Sequence, residues 1–127
     1  MKIDSVDVII PTFNNGKYLV DAISSVVSQS HYVNKILVID DGSTDNTREI
    51  IASLASSKSK LQYVYQVNKG LSSARNTGIK LSTAKYLAFL DADDIWMPGK
   101  LESQINKFHT TKYTNLGLVY GEYLDID

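Results

Sequence analysis

The chain has 127 residues, with 13 lysines and arginines against 14 aspartates and glutamates, and no cysteine. That length can bury one core, so a single domain is expected. The net charge of −1 gives no electrostatic case for nucleic acid or an anionic membrane surface as partner, and the absence of thiols excludes disulfides and thiolate metal sites.

Beyond Lys2, Asp4 and Asp7 interrupt any apolar run, so no signal peptide is expected, and no stretch approaches the length of a membrane span. The expectation is a soluble domain in the cytoplasm. Val6 to Ile10 reads as a short strand ended by Pro11, and Thr12-Phe13-Asn14-Asn15-Gly16 reads as a loop. From Tyr18, the residues Leu19, Ala22, Ile23, Val26 and Val27 share one face at helical spacing, to near Gln29. Lys35 to Ile39 is a second apolar strand and ends in acid, at Asp40-Asp41.

Gly42 to Thr47 is turn chemistry, and Asn46 with Glu49 three places on resembles a capping box. The helix it opens carries Ile50, Ile51, Leu54 and Ala55 inward and dissolves in Ser56 to Lys60. Tyr63, Val64, Tyr65 and Val67 favour a third strand within Leu61 to Val67. Asn68-Lys69-Gly70 turns into a helix over 71–81, whose Ala74 and Gly78 leave a narrow side for close approach. Tyr86 to Leu90 is five apolar residues in a row and reads as a buried fourth strand. Pro98 suits the first turn of a last helix that buries Leu101, Ile105 and Phe108, and Leu118-Val119-Tyr120 reads as a fifth strand.

Strands alternating with helices at this spacing imply an α/β fold, a mostly parallel sheet with helices on both faces. Such sheets bind ligands beyond the carboxyl ends of their strands. The polar residues gather at those ends: Thr12 and Asn14, then Asp40 and Asp41, then Asn68 and Lys69, then Asp91 and Asp93.

Three carboxylates crowd the turn after the fourth strand, Asp91, Asp93 and Asp94. Like charges at a hydrophobic rim are costly unless a proton or a cation neutralises them, and oxygen ligands suit Mg²⁺ or Mn²⁺. Asp91 and Asp93 are the expected pair, although Asp93 or Asp94 as a cap for the next helix accounts for part of the pattern. Arg75 and Lys69 add cations where a phosphorylated ligand would sit, and Asp41, Thr12 and Asn14 can hydrogen-bond a base. The alternative for Asp40 and Asp41 is turn and capping chemistry alone. Gly42, Gly70 and Gly78 stand alone, so the glycine-rich loops of NAD-binding and ATP-cleaving folds are absent.

Four stretches, Val8-Ile9-Ile10-Pro11-Thr12-Phe13-Asn14, Val38 to Asp45, Asn68 to Asn76 and Phe89 to Asp94, resemble in order and spacing the family 2 glycosyltransferases of the GT-A (Rossmann-like) fold. The resemblance implies inverting transfer of a sugar from a nucleotide-sugar donor, usually a UDP-sugar, to a glycan or lipid-linked acceptor in cell-surface polysaccharide assembly. It implies that Pro11, Thr12, Phe13 and Asn14 line the nucleoside pocket and that Asp41, beside Asp40, holds the uracil. Lys69 and Arg75 would lie near base and diphosphate. Asp91-Ala92-Asp93 matches the DXD motif, whose last carboxylate binds Mn²⁺ or Mg²⁺ directly. Phe13 stands where the family often has tyrosine, so stacking on the base remains and a hydroxyl contact does not.

The family's domain continues further, into the acceptor half and its carboxylate general base. Residues 1–127 are therefore expected to be the donor-binding portion, truncated before the acceptor half, with the base beyond Asp127 and no catalytic residue within. Asp125 and Asp127 come too early to be that base. The expected location is the cytoplasm or the inner face of its membrane, and a homodimer through an unpaired strand edge is a further expectation. A non-catalytic UDP-sugar-binding module is the alternative reading. A haloacid-dehalogenase-type phosphatase, which also uses Asp-x-Asp, is weaker, since it leaves Asp40-Asp41 and Asn68-Lys69-Gly70 without a role.

Overall fold

A computed structural model describes residues 4–126; Lys2 and Asp127, both read above, lie outside the described residues. The elements run β1 (Val6–Thr12), α1 (Gly16–Val27), β2 (Val33–Asp40), α2 (Thr47–Ala55), β3 (Leu61–Tyr65), α3 (Leu71–Leu81), β4 (Tyr86–Phe89) and α4 (Lys100–Thr110). The strands form one parallel sheet in the order β3-β2-β1-β4.

Alternation along β1 and β2 sends side chains to two cores. Val8, Ile10, Ile36 and Val38 pack with Leu19, Ala22, Ile23 and Val26 of α1, Ile51 of α2 and Leu101 and Ile105 of α4. Ile9, Leu37 and Ile39 face Ala74 of α3 on the opposite side. Helices on both faces and near-continuous apolar strands between them are what a buried parallel sheet requires.

Pro11 does not end β1, which runs on through Thr12. The backbone carbonyl of Ile9 accepts from Leu90 N, on the β4 side, whereas that of Thr12 accepts from Asp41 N, on the β2 side. Residues 9 and 11 point the same way, and β4 pairs with β1 only as far as Ile9. Proline's missing N–H thus faces a side where no neighbouring strand asks for it.

The Asn46–Glu49 capping box does not form, and Asn46 makes no side-chain cap bond. Asp45 does that work instead, accepting from Thr47 N at 3.1 Å and Thr47 Oγ1 at 2.6 Å through Oδ1, and from Gly16 N at 3.1 Å through Oδ2. One carboxylate thereby ties the first turns of α1 and α2 together. Burial pushes Asp45 upward, but the bonds from Thr47 and Gly16 outweigh it and hold the carboxyl below its ordinary range.

Pro98 lies two residues before α4 rather than inside it. Lys100 N donates to Met97 O, and Gly99 has φ 78° and ψ 4°, the geometry of a type II turn with proline and glycine in their preferred places. β4 is not a buried strand: it stands at the sheet edge, with Leu87 and Phe89 exposed and only Tyr86 and Ala88 packed inward. No strand forms at Leu118–Tyr120 among the described residues, and Leu118, Tyr120, Tyr123 and Leu124 are all exposed. Among the described residues the edges of the sheet belong to β3 and β4.

α3 lies against the sheet through its small residues. A Cβ built on Gly78 would fall 2.5 Å from Ile9 Cγ2. Gly78→Ala is expected to push α3 off β1 and to destabilise the domain by about 1–3 kcal/mol, read as a lower urea midpoint. An unchanged midpoint would show that Ile9 can retreat. No described helix is long and apolar enough to cross a membrane.

Candidate functional site

Four strand ends meet at one rim, and a cavity of about 310 Å³ opens there. β1 and the loop after it supply Pro11, Thr12, Phe13 and Asn15; the turn after β2 supplies Asp41; the turn after β3 supplies Asn68 and Gly70. Leu71 and Ala74 of α3 form one wall, and Asp91, Ala92 and Asp93 after β4 close the other side. The size suits a small ligand. A wider depression of about 520 Å³ along the exposed segment 112–118 gathers no charged group besides Lys112.

The two acids at the end of β2, Asp40 within it and Asp41 just beyond, divide their work. Asp40 is buried and turned inward, its Oδ1 accepting from Ser43 N at 2.8 Å and its Oδ2 from Tyr63 OH at 2.7 Å. It does not line the cavity. Burial and that hydrogen bond push the Tyr63 phenol well above its ordinary range. Asp41 does line the cavity, and it also holds the β3–α3 turn in place. Its Oδ1 accepts from Gln66 Nε2 at 2.7 Å and Lys69 N at 2.9 Å, and its Oδ2 from Gly70 N at 2.8 Å. Burial raises its carboxyl, but bonds from Lys69, Gln66 and Gly70 prevail and lower it overall. Gly42, at φ +85°, lets this turn pass so close that a Cβ would sit 2.9 Å from Asn68 N.

Asn14 stitches two loops instead of facing the cavity. Its Oδ1 accepts from Thr44 N at 2.8 Å and Asp45 N at 3.2 Å, and its own N–H donates to Ser43 Oγ at 3.0 Å. Its φ of 53° is a conformation asparagine tolerates better than most residues. Lys69 contributes its backbone, and its exposed side chain lies outside the cavity wall. Arg75 Nη2 donates to Asp91 Oδ1 at 2.8 Å, while its buried Nε has no partner among the described residues.

Thr12 Oγ1 is buried at the cavity without a hydrogen-bond partner. Such a hydroxyl is costly unless something else supplies the bond. Phe13 stands half-exposed at the mouth. The start of α3 borders the cavity through Gly70, Leu71 and Ala74, and the Gly70 N–H donates to Asp41 Oδ2. Helix starts favour anions.

The acidic turn is closed by Asp94 N donating to Asp91 O at 3.0 Å. Asp93 and Asp94 are exposed. Burial, then the charges of Asp93 and Asp91, hold the Asp94 carboxyl above its ordinary range. No group of three or more acidic or histidine ligands is preassembled among the described residues. The donor set fits a hard dication held by one or two carboxylates and completed by ligand oxygens, the way Mg²⁺ is commonly bound beside phosphates.

Gln66 and Thr77, which orient Asp41, were not legible from spacing. Asp7 also lay hidden, at the opposite end of the sheet. It is fully buried in β1, accepting from Asn34 Nδ2 at 2.8 Å, Ser82 Oγ at 2.7 Å, Thr83 N at 2.7 Å and Ala84 N at 3.1 Å.

A family model described as glycosyl transferase family 2 matches residues 7–125. An uncharacterised glycosyltransferase of Nostoc sp. is 41% identical over 107 residues, 84% of this chain and 33% of its own. The UDP-Glc:alpha-D-GlcNAc-diphosphoundecaprenol beta-1,3-glucosyltransferase WfgD of Escherichia coli is 38% identical over 118 residues, 93% of this chain and 45% of its own. The chain thus spans less than half the length of these relatives. Among solved structures, S. aureus TarS 1-349 superposes with a TM-score of 0.73 at 25% identity, over 92% of this chain and 38% of that one. The mannosyltransferase PcManGT of Pyrobaculum calidifontis, in complex with GDP-Man and Mn²⁺, gives 0.75 at 24% identity, over 84% and 32%; both likenesses agree with the GT-A sheet described above.

Proposed function

The chain belongs to glycosyl transferase family 2, and from that premise we propose that residues 1–127 are the donor-binding portion of an inverting glycosyltransferase that takes a UDP-sugar. The observation that carries this reading is one cavity bordered by an unpartnered buried hydroxyl at Thr12, a carboxylate at Asp41 and the acidic pair Asp91 and Asp93. In it, Asp41 accepts the N–H of a uracil, Phe13 lies against the base, and Thr12 Oγ1 bonds to the nucleoside. The start of α3 and the cationic Arg75 stabilise the diphosphate. Asp93 and Asp91 would hold Mn²⁺ or Mg²⁺, which when bound would offset charge on the leaving diphosphate.

The UDP donor of WfgD supports uracil as the base. The fold alone does not select it, since PcManGT carries GDP-Man on a similar sheet. WfgD, whose acceptor is a diphosphoundecaprenol-linked sugar, and a teichuronic acid biosynthesis homologue of Bacillus subtilis support a glycan or lipid-linked acceptor in surface polysaccharide assembly. With such an acceptor, the location proposed is the cytoplasm or the inner face of its membrane. The general base is assigned beyond Asp127, in keeping with the family resemblance and with relatives more than twice the length of this chain.

Calorimetric titration of the chain with UDP and UDP-sugars, with and without Mn²⁺, tests the proposal. UDP binding that tightens when Mn²⁺ is present is expected. Absence of UDP binding, or binding indifferent to the metal, would sink it.

A further inference from the structure

We propose that Gln66 and Thr77 determine which nucleobase the site accepts, by leaving Asp41 a single unspent acceptor position. The inference rests on the reading of the cavity as a nucleoside site. A carboxylate offers about four lone-pair positions. On Asp41, Gln66 Nε2 and Lys69 N occupy both of those on Oδ1, and Gly70 N occupies one on Oδ2. One position on Oδ2 remains for a ligand.

Asp41 can only accept, so Gln66 must turn Nε2 toward it, at 2.7 Å. The Oε1 left on the far side is held by the Thr77 hydroxyl at 2.6 Å, a donor that also has Ser73 O within reach at 3.1 Å. Gln66 Nε2 also reaches Ser73 Oγ at 3.4 Å. α3 therefore braces, through Thr77 and Gln66, a carboxylate that belongs to the end of β2.

The bases differ in what they show such an acceptor. Uracil presents one N–H between two carbonyls and needs one position. Guanine presents N1–H beside the N2 amine and is best met by two carboxylate oxygens, one of which is saturated here. Cytosine and adenine turn a ring-nitrogen lone pair toward the acid and are repelled. A site built to pair with one polar edge rejects edges that leave groups unpaired. Without Gln66, Oδ1 regains a free position and the carboxylate can swing, so a second donor becomes tolerable.

The test is competitive titration of the chain with UDP and GDP in the presence of Mn²⁺. The unsubstituted chain is expected to favour UDP by at least about tenfold. Gln66→Leu is expected to bring the two within about threefold of each other. Thr77→Val, which removes the hydroxyl at constant shape, shifts the ratio the same way, and Thr77→Ser restores it. Thermal melts establish that each variant is folded, and Thr77→Val carries the test should Gln66→Leu fail to fold. A ratio unchanged in folded variants overturns the inference while leaving the nucleoside reading intact, and an unsubstituted chain indifferent to the base also overturns it. Binding of neither nucleotide overturns both.

Discussion

Replacing Asp7 by alanine is expected to cost the domain about 3 kcal/mol or more, since four donors lose their acceptor at once and unsatisfied buried groups cost about 1–3 kcal/mol each. Asn34 sits in β2, while Ser82, Thr83 and Ala84 form the link from α3 to β4. This carboxylate therefore anchors three elements at the base of the sheet. Burial pushes it upward, but the bonds from Ser82, Thr83, Asn34 and Ala84 together hold it below its ordinary value of 3.8. The fold thus favours the ionised form. Its contribution is fully present above that ordinary value and is lost as pH falls through it toward the folded value. Asp41 and Asp45 are lowered too and act in the same direction. Urea unfolding across the acid range checks this: Asp7→Asn should lower the midpoint at neutral pH and flatten its decline toward acid. A variant with the parent's midpoint and slope would show that the four donors find other partners.

Asp93→Ala is expected to weaken UDP binding in Mn²⁺ at least tenfold, about 1.4 kcal/mol, and to leave metal-free binding unchanged. The reason is the division of labour within the acidic turn. Asp91 already shares an oxygen with Arg75 at 2.8 Å, whereas Asp93 stands exposed at the cavity with no competing hydrogen bond or ion pair among the described residues. Asp91→Asn should act partly through Arg75, weakening binding with and without metal. Titrations of both variants, each with and without Mn²⁺, separate the two effects. Equal losses for Asp93→Ala in both conditions would remove the metal-binding role from that residue.

Much of this architecture could be read from apolar periodicity. The bounds of α3, the inward stripe of α1 and the gathering of four strand ends at one rim all follow from spacing and turn chemistry. What could not be read depended on partners far away in sequence. Asp40 and Asp41 are adjacent and chemically identical, yet one bonds Tyr63 beneath the rim and the other holds Lys69 and Gly70 above it. Only the register between β2 and β3 decides which is which. Asp7 read as an interruption in an apolar run because its donors lie in β2 and beyond α3. Asn46 offered a local cap, and Asp45 won because it reaches two helix starts instead of one. β4 read as buried from its composition, but five apolar residues do not reveal whether a neighbour lies on each side.

The position of β1 between β2 and β4 also sets an order of assembly. β1 meets β2 across a single helix, and β3 joins soon after, so most of the sheet is available early in synthesis. Val6 pairs with Tyr86 only once the chain has passed through two further helices, and closing so long a loop carries a larger entropic charge. The acidic turn rides on that last-arriving strand. A nascent chain can thus hold most of the sheet while the acidic turn has yet to be placed.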